Sequence, residues 1–311
     1  MTDLTHRAVR TALPAALALI LLAWCVPARA YAPPAEEGNV KVDGVQVHYK
    51  LQGAGDAIVF VHGLARNYQI WDSYVAGFSD KYRVLSYSRR YDWPNHNKFS
   101  VPKDALDKEV DDLYWLIRAK RLGRVHIVGE SYGALIALTF AARHQEMVRS
   151  LELVEPPIVR WLLDSPSTNE DWTDFLNKAY VPAKREVLDG REEQALKTFD
   201  DWLEPGYFNT LASQDLDAVF RSSDDLKAVL LATGGFPTVT HSDMSKLTVP
   251  VLLISGEKSP AVFSTIQKQL AIDLGGAPIV TIAGAGHNAV TEQPEAVRTA
   301  IAEFLAQHAR R

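Results

Sequence analysis

The chain has 311 residues, 47% apolar and 23% charged, with 18 Gly and 16 Pro, a composition for one globular domain or two small ones that excludes collagen, coiled coil and wholesale disorder. Its formal charge of −5, from 33 basic and 38 acidic residues, comes without a basic block, so charge directs it to neither nucleic acid nor anionic lipid. A single cysteine, Cys25, forms no internal disulfide and excludes Cys-ligated zinc and iron–sulfur sites.

Residues 1–30 read as an export leader. His6, Arg7 and Arg10 precede an apolar run from Thr11 to Val26, and Ala28-Arg29-Ala30 supplies a small-x-small cleavage pattern, so cleavage after Ala30 and a periplasmic or secreted mature chain are expected. The run is 16 residues long and contains Pro14, short of the roughly 20 residues of a membrane-spanning helix. A lipid anchor on Cys25 fits less well, because bulky Trp24 precedes it. Loss of the leader removes Arg7, Arg10, Arg29 and Asp3, changes the net charge to −7 and leaves no thiol, which suits an oxidising compartment. A Pro-rich linker is expected over residues 31–38.

Short β-type runs then alternate with helical patterns, which implies right-handed crossovers and a mostly parallel sheet. Val40-Lys41-Val42 and Val45 to Tyr49 flank Asp43-Gly44, a hairpin signal. Ala57 to Val61 is a continuous apolar run ending at His62-Gly63, as in a strand covered on both faces. Tyr82 to Tyr87 predicts a further strand. Leu106, Val110, Leu113 and Ile117 then recur at helical spacing, with Arg118, Lys120 and Arg121 at the end and Gly123 as terminator. Strand-like runs follow at Val125 to Val128, Leu151 to Val154, Val249 to Ile254 and Pro278 to Ile282, and a last helix carries Val297, Ile301, Phe304 and Leu305 on one face. Between Pro156 and Lys246 the alternation stops. The stretch 157–246 reads as a mainly helical cap inserted into a core of residues 39–156 and 247–311. Its tryptophans, Trp161 among them, either line a substrate pocket or bury the cap against the core.

The informative segment runs from Val125 through Gly129-Glu130-Ser131-Tyr132-Gly133 to Leu135: a strand, then G-x-S-x-G, then a helix with small residues at its start. A nucleophile on so tight a turn has strained backbone, and its neighbours at −2 and +2 must lack bulk. Ser131 is thereby exposed at a helix N-terminus, whose dipole favours developing negative charge. A serine hydroxyl needs a base at neutral pH, and Gly284-Ala285-Gly286-His287 offers His287 on the loop after the last predicted strand. The other histidines, such as His48, His126 and His241, read as surface or core residues.

Strand-His62-Gly63, strand-G-x-S-x-G-helix and strand-Gly284-Ala285-Gly286-His287, in this order with an insertion after the sixth strand, resemble the α/β-hydrolase superfamily, in a serine-nucleophile, capped, exported form. The resemblance covers about residues 40–307 apart from the cap. It implies an α/β-hydrolase fold, with a mostly parallel sheet flanked by helices. It also implies an oxyanion hole made by the backbone N–H groups of Leu64 and Tyr132, each able to supply about 3 kcal/mol of transition-state stabilisation. His62 is a candidate substrate contact, and it would shape the turn rather than titrate.

The acid departs from the common pattern, in which Gly-x-x-Asp follows the strand after the cap. Here the run is Ser255-Gly256-Glu257-Lys258-Ser259-Pro260, with Ser259 in the aspartate slot. A hydroxyl does not stabilise an imidazolium as a carboxylate does. Glu155, directly after Leu151 to Val154 and ahead of Pro156-Pro157, is the first candidate, because a minority of the superfamily, some haloalkane dehalogenases included, carries its acid after that strand. Glu257 and a Ser–His dyad without an acid are the alternatives. Arg89 and Arg90, on the loop after the strand at Tyr82, either bind a substrate carboxylate or hold loop and cap carboxylates.

These readings converge on a hydrolase that cleaves a small or medium carboxylic ester through an acyl-enzyme, with a small-molecule substrate and no cofactor or metal. Amide, lactone or carbon–carbon bond hydrolysis and perhydrolysis use the same machinery. A receptor-like protein that binds a ligand with little turnover is the reading of another class. Oligomeric state is left open.

Overall fold

A computed structural model describes residues 35–308. The expected leader and its cleavage site lie outside these residues. Eight strands form one sheet in the order β1-β2-β4-β3-β5-β6-β7-β8. β1 (Glu36–Val42) and β2 (Val45–Gln52) are antiparallel, with Val42 paired to Val45 across Asp43 and Gly44 at φ 39° and 83°, the left-handed pair that a two-residue hairpin needs. The strand begins inside the stretch expected as linker: Glu36 pairs with Leu51 and its carboxylate accepts from Tyr49 Oη and Lys120 Nζ. Residues 36–38 therefore belong to the sheet.

β2 runs antiparallel to β4 (Arg83–Tyr87), and from there β3 (Ala57–Val61), β5 (Val125–Glu130), β6 (Val148–Val154), β7 (Val251–Gly256) and β8 (Ile279–Ile282) are parallel. Every residue of β3 and β5 is buried. Their side chains divide between two cores: Val59, Val61 and Ile127 face α2 (Ala105–Ala119) and α3 (Tyr132–Arg143), while Ile58, Phe60 and Val128 face α1 (Asp72–Phe78) and α12 (Pro294–His308). Two-sided cover explains why these strands read as continuous apolar runs rather than alternating ones.

The stretch between β6 and β7 is helical. It includes α4 (Asn169–Phe175), α5 (Val181–Leu188), α6 (Glu192–Leu203), α7 (Ser213–Arg221), α8 (Ser223–Leu231) and α9 (His241–Met244). A wider turn at Leu176–Tyr180 joins α4 to α5 just ahead of Pro182, whose missing N–H interrupts the regular ladder. Phe175, Ala183, Leu196 and Leu226 of this insert share one apolar cluster with α3 and the sheet. α10 (Ala261–Asp273) and α11 (Ala289–Glu292) flank the end of β8. No helix among the described residues is long and apolar enough to cross a membrane.

Candidate active site

Three loops at the carboxyl ends of parallel strands meet at one point. Ser131, between β5 and α3, sits at φ 50° and ψ −120°, a strained conformation for any residue with a side chain. Its N–H donates to Val154 O at 2.7 Å. A Cβ at Gly129 would lie 2.6 Å from Ala134 Cα, and one at Gly133 would strike the Val61 and His62 carbonyls, so Gly129 lets the turn close on the start of α3 and Gly133 lets it pack against the end of β3.

His287 follows β8 and stacks on Phe263, with ring centroids 4.3 Å apart. Its Nε2 lies 3.0 Å from Ser131 Oγ and its Nδ1 2.6 Å from Glu155 Oε2. A carboxylate only accepts, so Nδ1 carries the proton and Nε2 is free to accept from the serine hydroxyl. Glu155 leaves β6 at φ 46° and is fully buried. Its other oxygen accepts from Gly256 N at 2.8 Å and Ser255 Oγ at 3.3 Å, so the end of β7, the strand on which the common pattern places the acid, here holds the acid of its neighbour. Glu257 accepts from Gly284 N at 2.8 Å and does not contact the imidazole. Among the described residues Ser259 Oγ has no hydrogen-bond partner.

Burial opposes protonation of His287, but the Glu155 hydrogen bond and charge, followed by the charges of Glu130 and Asp200, outweigh it and raise its pKa above the ordinary imidazole value. Burial raises the carboxyls of Glu130 and Asp200, offset in part by His287 and Arg66. Leu64 and Tyr132 both line the cavity at Ser131. Among the described residues neither of their N–H groups has a protein acceptor. The cavity is small, about 30 Å³; Pro157, Val159, Phe199, Phe236 and Phe263 form its apolar wall, and Arg66, Glu130, Asp200 and Asn288 supply polar groups.

Three residues considered as substrate contacts lie elsewhere. Arg89 is fully buried: its guanidinium donates to the His62 and Gly63 carbonyls and to Asp225, with Asp92 and Glu109 close by. Arg90 makes a bidentate pair with Asp112, both bonds 2.8 Å. Both arginines are committed to carboxylates of the protein. Trp161 donates from Nε1 to Val239 O at 2.9 Å and stacks on His241, so it packs the insert instead of lining the cavity at Ser131. His62 is buried, with Nδ1 2.9 Å from Gly63 O and Nε2 accepting from Arg89 N. Burial and the Arg89 charge hold it well below the ordinary imidazole range, as a neutral brace for the turn.

Sequence reading passed over Glu130, Arg66 and Asp200. Glu130 Oε2 accepts from Gly63 N at 2.7 Å, tying the serine turn to the loop after β3. Arg66 lies over the Tyr207 ring and reaches Asp200 and Asn288 at 3.4 and 3.3 Å. The signal was there: Asp200 falls on the face of α6 shared by Ala195, Leu196 and Phe199, and a carboxylate on an apolar stripe needs a partner.

A model described as the alpha/beta hydrolase family matches residues 58–300. A 2-(acetamidomethylene)succinate hydrolase of Mesorhizobium japonicum is 23% identical over 279 residues, covering 86% of this chain and 94% of the relative. A haloalkane dehalogenase of Agrobacterium fabrum is 24% identical, with 90% and 94% covered. An esterase from Thermogutta terrifontis superposes with a TM-score of 0.68 at 19% identity, over 88% of this chain and all of that one. An enol-lactonase from Burkholderia xenovorans does so with a TM-score of 0.67 at 18% identity, over 86% and 100%. With the strand order, the serine turn and a family match across most of its length, the chain belongs to the alpha/beta hydrolase family and is an enzyme of hydrolase type.

Proposed function

We propose that the protein is an exported serine hydrolase that cleaves a small or medium carboxylic ester through an acyl-enzyme. The observation that carries this reading is the hydrogen-bonded chain from Ser131 Oγ through His287 to Glu155, at 3.0 and 2.6 Å, opening on an apolar cavity. Ser131 attacks the carbonyl and its proton passes to His287 Nε2. Glu155 stabilises the imidazolium and keeps the ring in its working orientation. Oxyanion charge falls to the free N–H groups of Leu64 and Tyr132. Collapse of the tetrahedral intermediate expels the alcohol, which takes its proton from His287. Water, deprotonated by the same nitrogen, then releases the acid and restores Ser131. A hydroxyl at this turn, where a carboxylate would form an alkyl-enzyme, favours acyl transfer.

A fluorophosphonate should label folded protein at Ser131, p-nitrophenyl acetate should give a burst, and Ser131→Ala should lose both. Folded protein that takes no label would point to a binding role and sink the reading. A series of esters of increasing chain length, run beside lactones and amides, ranks the bond types. For export, the secreted protein should begin at Tyr31; a mature protein that keeps residues 1–30 overturns that part.

A further inference from the structure

The loop between β3 and α1 is held on both sides of Leu64. His62 O accepts from Arg89 Nε at 3.1 Å and Gly63 O from Arg89 Nη2 at 2.9 Å. Ala65 N donates to Asp225 Oδ2 at 3.0 Å. The same carboxylate pairs with Arg89, whose Nη1 donates to Oδ1 at 3.0 Å while Nη2 contacts Oδ2 more closely. Ala65 stands at φ 50°, a conformation alanine keeps only where its surroundings dictate it. Arg89 and Asp225 are both buried. Asp225 comes from α8 of the insert, and the hydrogen-bond partners of its carboxylate, Ala65 N and Arg89, come from the core.

We propose that Asp225 is a positioning residue: by clamping Ala65 N directly, and the carbonyls of His62 and Gly63 through Arg89, it aims the Leu64 N–H at the oxyanion. The insert is then part of the catalytic apparatus and not only a cover over it. This inference rests on the acyl-transfer reading above. A buried ion pair contributes little stability over apolar residues of the same volume, and its best-attested use is to impose one geometry. Here that geometry belongs to three consecutive backbone units, and the one N–H among them left without an acceptor is that of Leu64, which lines the same cavity as Ser131.

The test compares Asp225→Asn with Asp112→Asn, which weakens the neighbouring buried pair with Arg90 but touches none of residues 62–65. Asp225→Asn should lower kcat about 100-fold with KM within about threefold of the parent, the signature of an interaction made in the transition state. It should weaken, by a similar factor, a trifluoromethyl ketone whose adduct with Ser131 bears the oxyanion. Asp112→Asn should lose thermal stability while keeping kcat and inhibitor affinity. Equal losses of kcat in the two variants, or a stability loss alone in Asp225→Asn, overturn the proposal. Should Asp225→Asn not fold, Asp225→Glu keeps the charge beside Arg89 but displaces the acceptor from Ala65 N. It must then show the kcat loss, and parental kcat there overturns the proposal. Parent enzyme that takes no fluorophosphonate label defeats the acyl-transfer reading itself, whereas labelled enzyme indifferent to Asp225 defeats only this inference.

Discussion

At the residue scale the proposed chemistry depends on three side chains, each held in place by its surroundings. Ser131 is aimed by a strained turn, His287 by Phe263 and Glu155, and Glu155 by the end of β7. Glu155→Gln offers an amide where the imidazolium needs a charge, and turnover should fall about 10⁴-fold. Glu257→Gln, altering a carboxylate bound only to Gly284 N, should cost less than about tenfold on the same scale. Steady-state kinetics on one ester checks both, and the reverse order would reassign the acid. The pH profile follows from His287. Its pKa is raised, so the proton leaves only above the ordinary imidazole value, and the neutral base is lost as pH falls through that raised value. The acidic limb of kcat/KM should therefore lie above 6.5. Glu130→Gln removes one of the charges that raise it and should shift the limb downward; a limb that does not move contradicts that electrostatic account.

At the element scale, local signals placed the strands and helices well, and the ends of elements less so. α2 illustrates the difference. Gly123 is the expected terminator, yet the helix closes two residues earlier, with Leu122 N bonded to Ile117 O, Arg121 N to Arg118 O and Arg121 at φ 50°. This is a Schellman closure with arginine in the position that favours glycine. It persists because Ile117 and Leu122 are both buried, and that contact is set by the fold. Arg121→Gly should accordingly raise stability by about 0.5–1 kcal/mol in urea titrations. Gly133→Ala should do the opposite, by more than about 2 kcal/mol, since the added methyl meets backbone of β3 that cannot retreat. The first strand starts at Glu36, ahead of the expected Val40, for a related reason: two glutamates and a glycine carry little β-signal, and their pairing with β2 supplies the order.

At the scale of the whole molecule, a buried carboxyl outside the candidate site contributes a dependence of stability on pH. Glu152, in the middle of β6, has Ser150 Oγ as its hydrogen-bond partner, and burial pushes its pKa up to about 8. The folded state keeps the proton while the unfolded chain releases it near its ordinary value. Between those two values stability falls as pH rises, by about 1.4 kcal/mol per pH unit. Glu152→Gln should remove Glu152's share of this slope, making the variant more stable than the parent at pH 8 and no more stable near pH 4; the buried carboxyls of Glu109 and Asp112, pushed up to about 7 and about 8, keep theirs. Denaturant titrations at the two pH values check it, and parallel curves would show that Glu152 is ionised in the folded state.

Sequence alone carried the fold class, the order of the motifs, and the choice of Ser131 and His287, because each rests on a short-range pattern: a buried strand, a turn that tolerates only glycine, a residue directly past a strand end. It put Glu155 first among the candidate acids, and the tertiary structure sets Glu155, not Glu257, against His287. What Arg89, Arg90, Trp161 and Asp225 do was decided by tertiary structure. A guanidinium or an indole is equally suited to a ligand or to the protein's own carboxylates and carbonyls, and only the folded chain determines which it meets: Asp225 of the insert for Arg89, Asp112 of α2 for Arg90 and the Val239 carbonyl for Trp161.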